Sequence, residues 1–457
     1  MTSHPLLAHS SDQDLLALRH GQPVSAGQFL ADARRLAGAL PAGRHMLNAC
    51  ADRYRFAVGM AAALLAGKTS LLPPTLTPEM VRQIQAFAPD VFCLSDQAQS
   101  PALPRLAWAD AMESTSPGRE EHCSGAWEVP RIPASHVAAI MFTSGSTGLP
   151  VAHRKSWGSL VRGAQAEAGC LGLPGKPRHS IVATVPPQHM YGFESTVLLA
   201  LQGGAVLVAA HPFYPADICA ALAAAPRPRM LVTTPVHLKA LLASGLDIPP
   251  IDLLLSATAA LPPQLALAAE DQLQAPLLEI YGSTETGQIA TRRLSRDAAW
   301  TLFPDVTLSI NEGKAWASGG HVEQATPLAD ELEVLPEGRF LLHGRTADLV
   351  NIAGKRSSLG YLNHQLAAIP GVIDGAFFMP DEHGGDSVVR LMAFVVAPGL
   401  SAPALLAALR ERIDAIFIPR PLVLLDALPR NSTGKLPRDA LQALAREHLQ
   451  KKARHDR

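Results

Sequence analysis

The chain has 457 residues, of which 48% are hydrophobic and 17% charged, so it can form about two to four folding units with large apolar cores. Its 39 basic and 40 acidic side chains nearly cancel, which argues against nucleic acid as the main partner, because such sites need a basic surface. The longest apolar run, residues 56–67, is far shorter than the ~20 residues of a membrane-spanning helix.

The spacing of the cysteines and the composition of the first residues indicate in which cellular compartment the protein is expected. The five cysteines are far apart and form no closely spaced pair, which is typical of free thiols in a reducing compartment. The first residues lack the basic stretch and apolar run of a signal peptide. We therefore expect a soluble cytoplasmic protein with no membrane span and no nucleic-acid partner.

The predicted elements of the first two thirds alternate between helices and short apolar strands. Ala/Leu-rich segments predict helices at 55–66, 157–168 and 216–224, and β-type runs predict strands at 180–185, 205–210, 229–234 and 252–257. This alternation predicts a parallel sheet that is covered by helices on both faces. Ligands of such sheets bind at the carboxyl ends of the strands, so the loops at 143–150, 186–194, 256–262 and 281–287 are the candidate site.

The pattern changes after Asp330. Residues 337–345, "EGRFLLHGR", predict a hairpin strand, and residues 347–356 predict another strand and turn. Helical and β-like segments alternate over the remaining ~100 residues. The fold class is therefore predicted as α/β. We expect a large N-terminal domain of mixed and parallel sheets covered by helices at 1–344, a hinge at 345–348 and a small mobile α+β domain at 349–457.

The segment "FTSGSTG" at 142–148 is rich in glycine and hydroxyl side chains. Glycines allow close backbone approach, and N–H and hydroxyl donors together suit a phosphate. An ordinary Gly/Ser turn is the alternative. The Walker loop of kinase-type NTPases is not matched, because Gly145 and Gly148 are three apart and no Lys-Ser/Thr pair follows.

Three further motifs follow in order: "YGSTETG" at 281–287, "GRTADLVNIAGKR" at 344–356 and "LPRNSTGKLPRDAL" at 428–441. With "FTSGSTG" they resemble the adenylate-forming superfamily of acyl-CoA synthetases, aryl-CoA ligases and peptide-synthetase adenylation domains. The resemblance implies a large domain and a small one that swivels on a hinge. It also implies that ATP activates a carboxylic acid as an acyl-AMP, which a thiol then converts to a thioester.

The resemblance assigns the nucleotide-binding residues. Tyr281 would flank the adenine, Asp330 would accept the ribose hydroxyls, Arg345 would lie near the ribose and phosphate, and Arg356 would serve the thioester half-reaction unless it is a surface charge. Ala257 and Gly282 are assigned to the same site. The β- and γ-phosphates would be held by Thr143, Ser144, Gly145, Ser146, Thr147 and Gly148.

The catalytic assignments also follow from the resemblance. Thr284 would donate to the α-phosphate, and Glu285 would hold Mg²⁺ against the phosphates, since magnesium favours one or two carboxylates with phosphate oxygens. Lys435 would contact both the substrate carboxylate and the α-phosphate. His189 would stand as a gate between the carboxylate and the thiol tunnel, or else be a hydrogen-bonded residue at a strand end.

Two positions depart from the family pattern. Val151 and Ala152 stand where the phosphate loop has Lys-Gly, and we expect Lys155 or Arg154 to supply the missing charge. Ala347-Asp348 replaces the usual pair of hinge acids, so the pivot residue is left open.

The predicted substrate is an aromatic or medium-chain carboxylic acid, and ATP and Mg²⁺ are the predicted cofactors. The predicted acceptor is coenzyme A or the phosphopantetheine of a carrier protein, which present the same thiol arm. Two alternatives stay open at this point. One is a catalytically silent relative that binds nucleotide or acyl-AMP, and the other is an ATP hydrolase or kinase, which lacks its own motifs here.

Overall fold

The structure is a computed structural model that describes residues 2–98, 101–113, 127–144, 150–345, 349–352, 355–380, 390–413, 415–431 and 434–455. Its strands up to Arg345 are β1 (Ser3–Pro5), β2 (Leu15–Arg19), β3 (Gln22–Ser25), β4 (His45–Asn48), β5 (Thr69–Leu72), β6 (Phe92–Ser95), β7 (Arg105–Ala107), β8 (Arg131–Pro133), β9 (Val137–Ser144), β10 (Pro150–Ser156), β11 (Ser180–Ala183), β12 (Val206–Val208), β13 (Arg229–Thr233), β14 (Leu253–Ser256), β15 (Leu277–Ser283), β16 (Gly287–Arg292), β17 (Trp300–Leu302), β18 (Val306–Asn311), β19 (Lys314–Gly319), β20 (Val322–Pro327), β21 (Asp330–Leu335) and β22 (Arg339–Arg345).

The helices of the same part are α1 (Ala26–Ala39), α2 (Arg53–Leu65), α3 (Pro78–Phe87), α4 (Trp108–Glu113), α5 (Trp157–Cys170), α6 (Met190–Gly192), a π-helical turn (Phe193–Leu198), α7 (Leu199–Gln202), α8 (Pro215–Ala224), α9 (Pro235–Leu242) and α10 (Pro263–Leu273). After Arg345 come β23 (Leu349–Ile352), β24 (Lys355–Ser358), α11 (Leu359–Ala367), β25 (Asp374–Phe378), β26 (Met392–Val396), α12 (Ala402–Arg410), a 3₁₀ turn (Ala415–Phe417), β27 (Leu422–Leu424) and α13 (Arg438–His455).

The largest sheet has eleven strands in the order β21-β22-β17-β16-β15-β14-β13-β11-β12-β2-β3. The six strands from β15 to β2 in that order run parallel, and the strands at either end are antiparallel. The four predicted strands are β11, β12, β13 and β14, so the predicted parallel sheet is confirmed. Strands β11 and β14 are buried along their whole length, as expected for a sheet with both faces covered.

A second sheet of six strands, in the order β10-β9-β5-β4-β6-β7, is parallel except for the β9–β10 hairpin. Helix α2 packs against strands of both sheets, and its residues from Arg53 to Leu64 are buried except Arg55. A helix that is apolar on all sides is stable only in such an interior position. The buried guanidinium of Arg53 donates to the carbonyl oxygens of Ala183 and Val185, which fixes the end of β11 before the loop at 186–189.

The segment after residue 355 forms its own apolar clusters around β25, β26, α11 and α12. It contacts the preceding part of the chain at helix α9, where Lys239 donates to the carbonyl oxygen of Ile373. The overall α/β architecture agrees with the predicted fold class. Among the residues that the structure describes, no helix is long and apolar enough to cross a membrane.

Candidate active site

A cavity of about 150 Å³ opens at the carboxyl ends of strands β11, β14 and β15. Its lining combines three of the predicted catalytic residues, His189, Thr284 and Lys435, with other side chains, whereas Glu285 does not line it. The lining residues are His189, Met190, Tyr191, Glu194, Ala257, Thr258, Ile280, Gly282, Ser283, Thr284, Gly287, Gln288 and Lys435. Gly282 and Lys435 are exposed at one end, whereas Tyr191, Glu194 and Gln288 are buried. The cavity therefore runs from an exposed mouth at Lys435 to a buried floor at Glu194.

Lys435 comes from the C-terminal segment, yet it lines the same cavity as Thr284 and His189. The turn that presents it is closed by Asn431, whose side-chain oxygen accepts the Lys435 N–H at 2.9 Å. Gly434 has a φ of 76°, and a Cβ there would lie 3.0 Å from Val236 Cγ2. A larger residue at 434 would therefore have to displace the Val236 side chain slightly and would be strained by the positive φ.

His189 precedes the short helix α6 and faces the cavity. Burial, together with the charge of Lys435, lowers the pKa of its imidazole to about 4. Because the His189 ring is neutral, Lys435 is the positively charged side chain among the residues that line the cavity. Thr258, across the cavity, has a φ of 78°, a strained conformation of the kind that is concentrated at functional sites.

Glu285 lies at the exposed tip of the turn between β15 and β16, with Thr284 beside it. The imidazole Nε2 of His153 lies 2.9 Å from Thr143 Oγ1 and 3.5 Å from Glu285 Oε1. Strand β9, which leads into the glycine–hydroxyl loop, is thereby connected to the turn that carries Glu285. Burial lowers the pKa of His153, although the Glu285 carboxylate acts in the opposite direction.

Lys155 is 5% exposed, and its amine donates to the backbone carbonyl oxygen of Glu285 at 2.7 Å. Burial lowers the pKa of this amine despite the neighbouring carboxylates of Glu194, Glu285 and Glu323. Lys155 also lies five residues along β10 from Pro150, about 16 Å in an extended strand. The structure gives Lys155 a partner in the Glu285 turn, and its contact with the outer phosphates stays a prediction.

Tyr281 and Asp330, the predicted adenine and ribose residues, are bonded to each other. The Tyr281 hydroxyl donates to Asp330 Oδ2 at 2.7 Å, and the Tyr281 ring packs against Trp300 and Phe340. Asp330 begins β21 opposite Arg345, the last residue of β22. The two predicted ribose-side residues are therefore adjacent in the sheet.

Beneath the cavity lies a buried polar network. The Ser195 hydroxyl donates to Glu167 Oε1 at 2.6 Å and accepts from Gln288 Nε2 at 2.7 Å. Burial raises the pKa of Glu167 to about 8. It also raises the pKa of Glu194 to about 7, against the opposing charge of Lys155.

Several predicted residues are described in part or lie outside the described residues. Gly145, Ser146, Thr147 and Gly148 lie outside them, as does the hinge at 346–348. Ser144 ends β9 opposite Pro150, and Arg356 lies in β24 opposite Asn351, so both are placed by their backbones. Their roles stay predictions.

Sequence reasoning assigned no role to His153 as a bridge, nor to Glu194 and Gln288. The sequence does contain a sign that Glu194 is unusual, because it is an acid within the apolar run "MYGFESTVLLAL". Burial of that run in the predicted sheet packing would bury this carboxyl group with it. Phe193, the preceding residue, packs into the apolar core against Phe56 and does not line the cavity.

The family model of AMP-binding enzymes matches residues 8–337. This chain belongs to the AMP-binding enzyme family. The match covers β2 to β21 and therefore includes the cavity except for Lys435. The resemblance to the adenylate-forming superfamily is confirmed.

Relatives of this AMP-binding chain include two 4-coumarate–CoA ligases. The one from Rhodobacter capsulatus is 34% identical over 282 residues, which cover 61% of this chain and 68% of the relative. The one from Halorhodospira halophila is 32% identical over 321 residues, which cover 66% and 76%.

Solved structures share the fold at lower identity. The o-succinylbenzoate CoA synthetase (MenE) of Bacillus subtilis, in complex with its acyl-adenylate, superposes with a TM-score of 0.81 at 19% identity and covers 97% of this chain and 99% of its own. ATP-bound MatB of Rhodopseudomonas palustris gives a TM-score of 0.81 at 19% identity, with coverages of 95% and 96%.

Proposed function

We propose that this chain activates a small aromatic carboxylic acid with ATP and transfers the acyl group to a phosphopantetheine thiol. The observation that carries the proposal is the cavity itself, where Lys435 of the C-terminal segment meets Thr284 and His189 of the preceding part. A movable cation, a hydroxyl donor and a buried acyl-sized space are what the first half-reaction requires. The two curated relatives named as CoA ligases support the same chemistry.

In the first half-reaction, a carboxylate oxygen of the acid attacks the α-phosphorus of ATP, and pyrophosphate leaves from the opposite side. The Lys435 ammonium neutralises charge that develops between the carboxylate and the α-phosphate, and Thr284 donates to an α-phosphate oxygen. Such stabilisation by placed donors accounts for most of the barrier reduction in reactions of this type.

Glu285 fits a magnesium ion that arrives with ATP. It is a single carboxylate with a 40% exposed side chain, next in sequence to Thr284 of the cavity lining, and no group of three metal-ligating side chains occurs among the described residues. Mg²⁺ bound through one carboxylate and phosphate oxygens needs no such group. When bound, the ion would neutralise the phosphates, while His153 and Lys155 hold the Glu285 turn in place.

In the second half-reaction, a thiol attacks the acyl carbon, the thioester forms and AMP leaves. We propose that the segment 349–457 acts as a mobile lobe that turns about residues 345–348, so that Lys435 leaves the cavity and the thiol enters past His189. The neutral His189 ring, whose pKa is about 4, is suited to line a passage for an uncharged arm. Coenzyme A and a carrier protein present the same arm, and the acceptor is one of these two.

The size of the cavity favours a ring over a long chain. A cavity of about 150 Å³ has the size that holds one benzene-sized ring, so we expect an acid with a single aromatic ring to be preferred over a long fatty chain. Met190, Tyr191, Ala257 and Ile280 give this space an apolar wall. Medium-length aliphatic acids are expected to be weaker substrates.

Acid-dependent exchange of labelled pyrophosphate into ATP tests the proposal, with benzoates, cinnamates and fatty acids as substrates. Exchange with the aromatic acids, followed by thioester formation when coenzyme A or a phosphopantetheinylated carrier is added, is the expected result. If no acid supports exchange while ATP still binds, the chain is a silent nucleotide-binding relative instead. Acid-independent hydrolysis of ATP would also overturn the proposal.

A further inference from the structure

The floor of the cavity carries a carboxyl group that the proposed reaction does not use. Glu194 is 5% exposed and lines the same cavity as the exposed Lys435. It lies in the π-helical turn that interrupts the helical run after His189. Such wide turns change the direction in which side chains point and are frequent at functional sites.

The hydrogen-bonding capacity of Glu194 is largely unused by the protein. Its Oε1 accepts from the Gln288 N–H at a long 3.5 Å, and this is its one side-chain hydrogen bond within the described part of the chain. The nearest cation, Lys155, donates its short bond to the Glu285 carbonyl instead. Buried carboxyl groups are normally satisfied by several donors, so Glu194 can accept a further hydrogen bond from a molecule in the cavity.

We propose that Glu194 accepts a hydrogen bond from a hydroxyl group at the far end of the acid, and so selects hydroxylated aromatic acids over unsubstituted ones. This inference rests on the proposed function, because it takes the cavity as the acyl site. It adds the substrate class and the residue that determines it.

The charges around Glu194 favour a neutral donor over an ammonium group. Lys155 already places a positive charge next to Glu194, and a second cation in the same buried space would be repelled. A phenolic hydroxyl, with a pKa of about 10, donates its hydrogen bond without giving up its proton. The wall formed by Met190, Tyr191 and Ile280 suits the ring that carries this hydroxyl.

The backbone beside the carboxyl group leaves the space that it occupies. Gly287 has a φ of 74°, and a Cβ at this residue would lie 2.7 Å from Glu194 Oε1. The absence of a side chain at residue 287 therefore allows the carboxyl group to lie against strand β16, where it lines the cavity.

The first test uses the unmodified protein and compares three benzoates as substrates: a hydroxylated, an unsubstituted and a methoxylated one. The same comparison is made with three cinnamates. In both series the substituent is placed at ring position 3 and at ring position 4. The methoxy group has the oxygen without the donor. The kcat/KM for acid in pyrophosphate exchange should be at least about tenfold higher for the best hydroxylated acid than for its two analogues, the value of a hydrogen bond to a charged group. Equal or higher values for the unsubstituted or methoxylated acids would overturn the inference and leave the proposed function intact.

The second test uses the ratio of kcat/KM for the hydroxylated acid to that for the unsubstituted acid, since a ratio is insensitive to the folded fraction. Glu194→Leu should lower this ratio at least about tenfold. Glu167→Gln is the matched control, because Glu167 is a buried carboxyl of the adjacent network that does not line the cavity, and it should retain the wild-type ratio. A ratio that survives Glu194→Leu, or falls equally in Glu167→Gln, would contradict a direct contact with the substrate.

Discussion

The amine of Lys155 donates a hydrogen bond of 2.7 Å to the backbone carbonyl oxygen of Glu285, although 130 residues separate the two in sequence. Strand β10 is thus attached to the β15–β16 turn by a buried cation. The imidazole Nε2 of His153, two residues earlier on the same strand, lies 3.5 Å from the Glu285 carboxylate. The position of the proposed magnesium ligand therefore depends on strand β10.

Lys155→Met should destabilise the protein, because it leaves the Glu285 carbonyl without this donor and the buried Glu194 without its compensating cation. We expect the free energy of unfolding to fall by about 3 kcal/mol, as for one partner of a buried charge pair. Urea unfolding measures it. Arg154→Met, at the exposed neighbouring position, is the control and should change stability by no more than about 0.5 kcal/mol. Equal stability of the two variants would contradict a stabilising role for the hydrogen bond between Lys155 and the Glu285 carbonyl.

Glu285→Gln should raise the concentration of Mg²⁺ needed for half-maximal exchange by about tenfold or more, because it removes the carboxylate charge of the proposed magnesium ligand. A magnesium titration at fixed ATP measures the change. Glu323→Gln removes another carboxylate close to Lys155 that does not line the cavity, and it should leave the magnesium requirement at the wild-type value. Similar shifts in both variants would indicate an effect of charge alone.

Lys435→Ala should lower acid-dependent pyrophosphate exchange by about a hundredfold or more, the usual loss for a donor aimed at developing charge. ATP binding, measured by titration calorimetry, should remain within a few-fold of wild type. The exposed Lys314 in the β18–β19 hairpin provides a matched lysine-to-alanine control. Exchange that persists in Lys435→Ala would remove Lys435 from the reaction.

Tyr281→Phe removes the hydroxyl that donates to Asp330 and keeps the aromatic ring. Asp330, the proposed ribose ligand, then loses one of its hydrogen bonds, so the KM for ATP should rise by about two- to tenfold, equivalent to one net hydrogen bond. Tyr54→Phe breaks a similar bond to Asp32, at 2.8 Å in the core away from the cavity. It should leave the KM for ATP unchanged, and a rise there would point to a general loss of packing.

The stability of the protein should fall as pH rises from 6.5 to 8. In this window the folded chain keeps the proton of Glu167, whose pKa is about 8, while the unfolded chain with a carboxyl pKa near 4.5 has lost it. The folded state binds more protons, so the free energy of unfolding decreases by up to about 1.4 kcal/mol per pH unit for this group. Buried His189, with a pKa of about 4, has the opposite effect but only below its ordinary value of 6.5.

Urea unfolding across this window tests the assignment to Glu167. The slope should be shallower in Glu167→Gln, which cannot take up or release the proton. Parallel slopes for wild type and variant would assign the effect to other groups.

The parallel strands and the loops of the site were predictable because both signals are local. Short, continuous apolar runs such as residues 229–234 are typical of strands in a sheet that is covered on both faces. The glycine and threonine clusters follow such runs directly in the sequence. The carboxyl ends of the strands then brought Ala257, Thr284 and His189 to one edge, as expected.

The environments of Lys155 and Glu194 were not predictable, because they depend on residues far away in sequence. The register of β10 turns Lys155 inward, and only the packing of β16 and the π-helical turn shows which acids surround it. A charged residue is usually assigned to the surface from sequence alone, and here two of them share the interior.

Gly434 determines how closely the Lys435 turn can approach helix α9. A side chain there would press on Val236, and the positive φ would add strain for any other residue. Gly434→Ala therefore offers a single-methyl adjustment of the proposed lobe closure that alters none of the residues assigned to the reaction. Through such a change, the occupancy of the proposed closed state becomes a property that can be tuned separately from the chemistry.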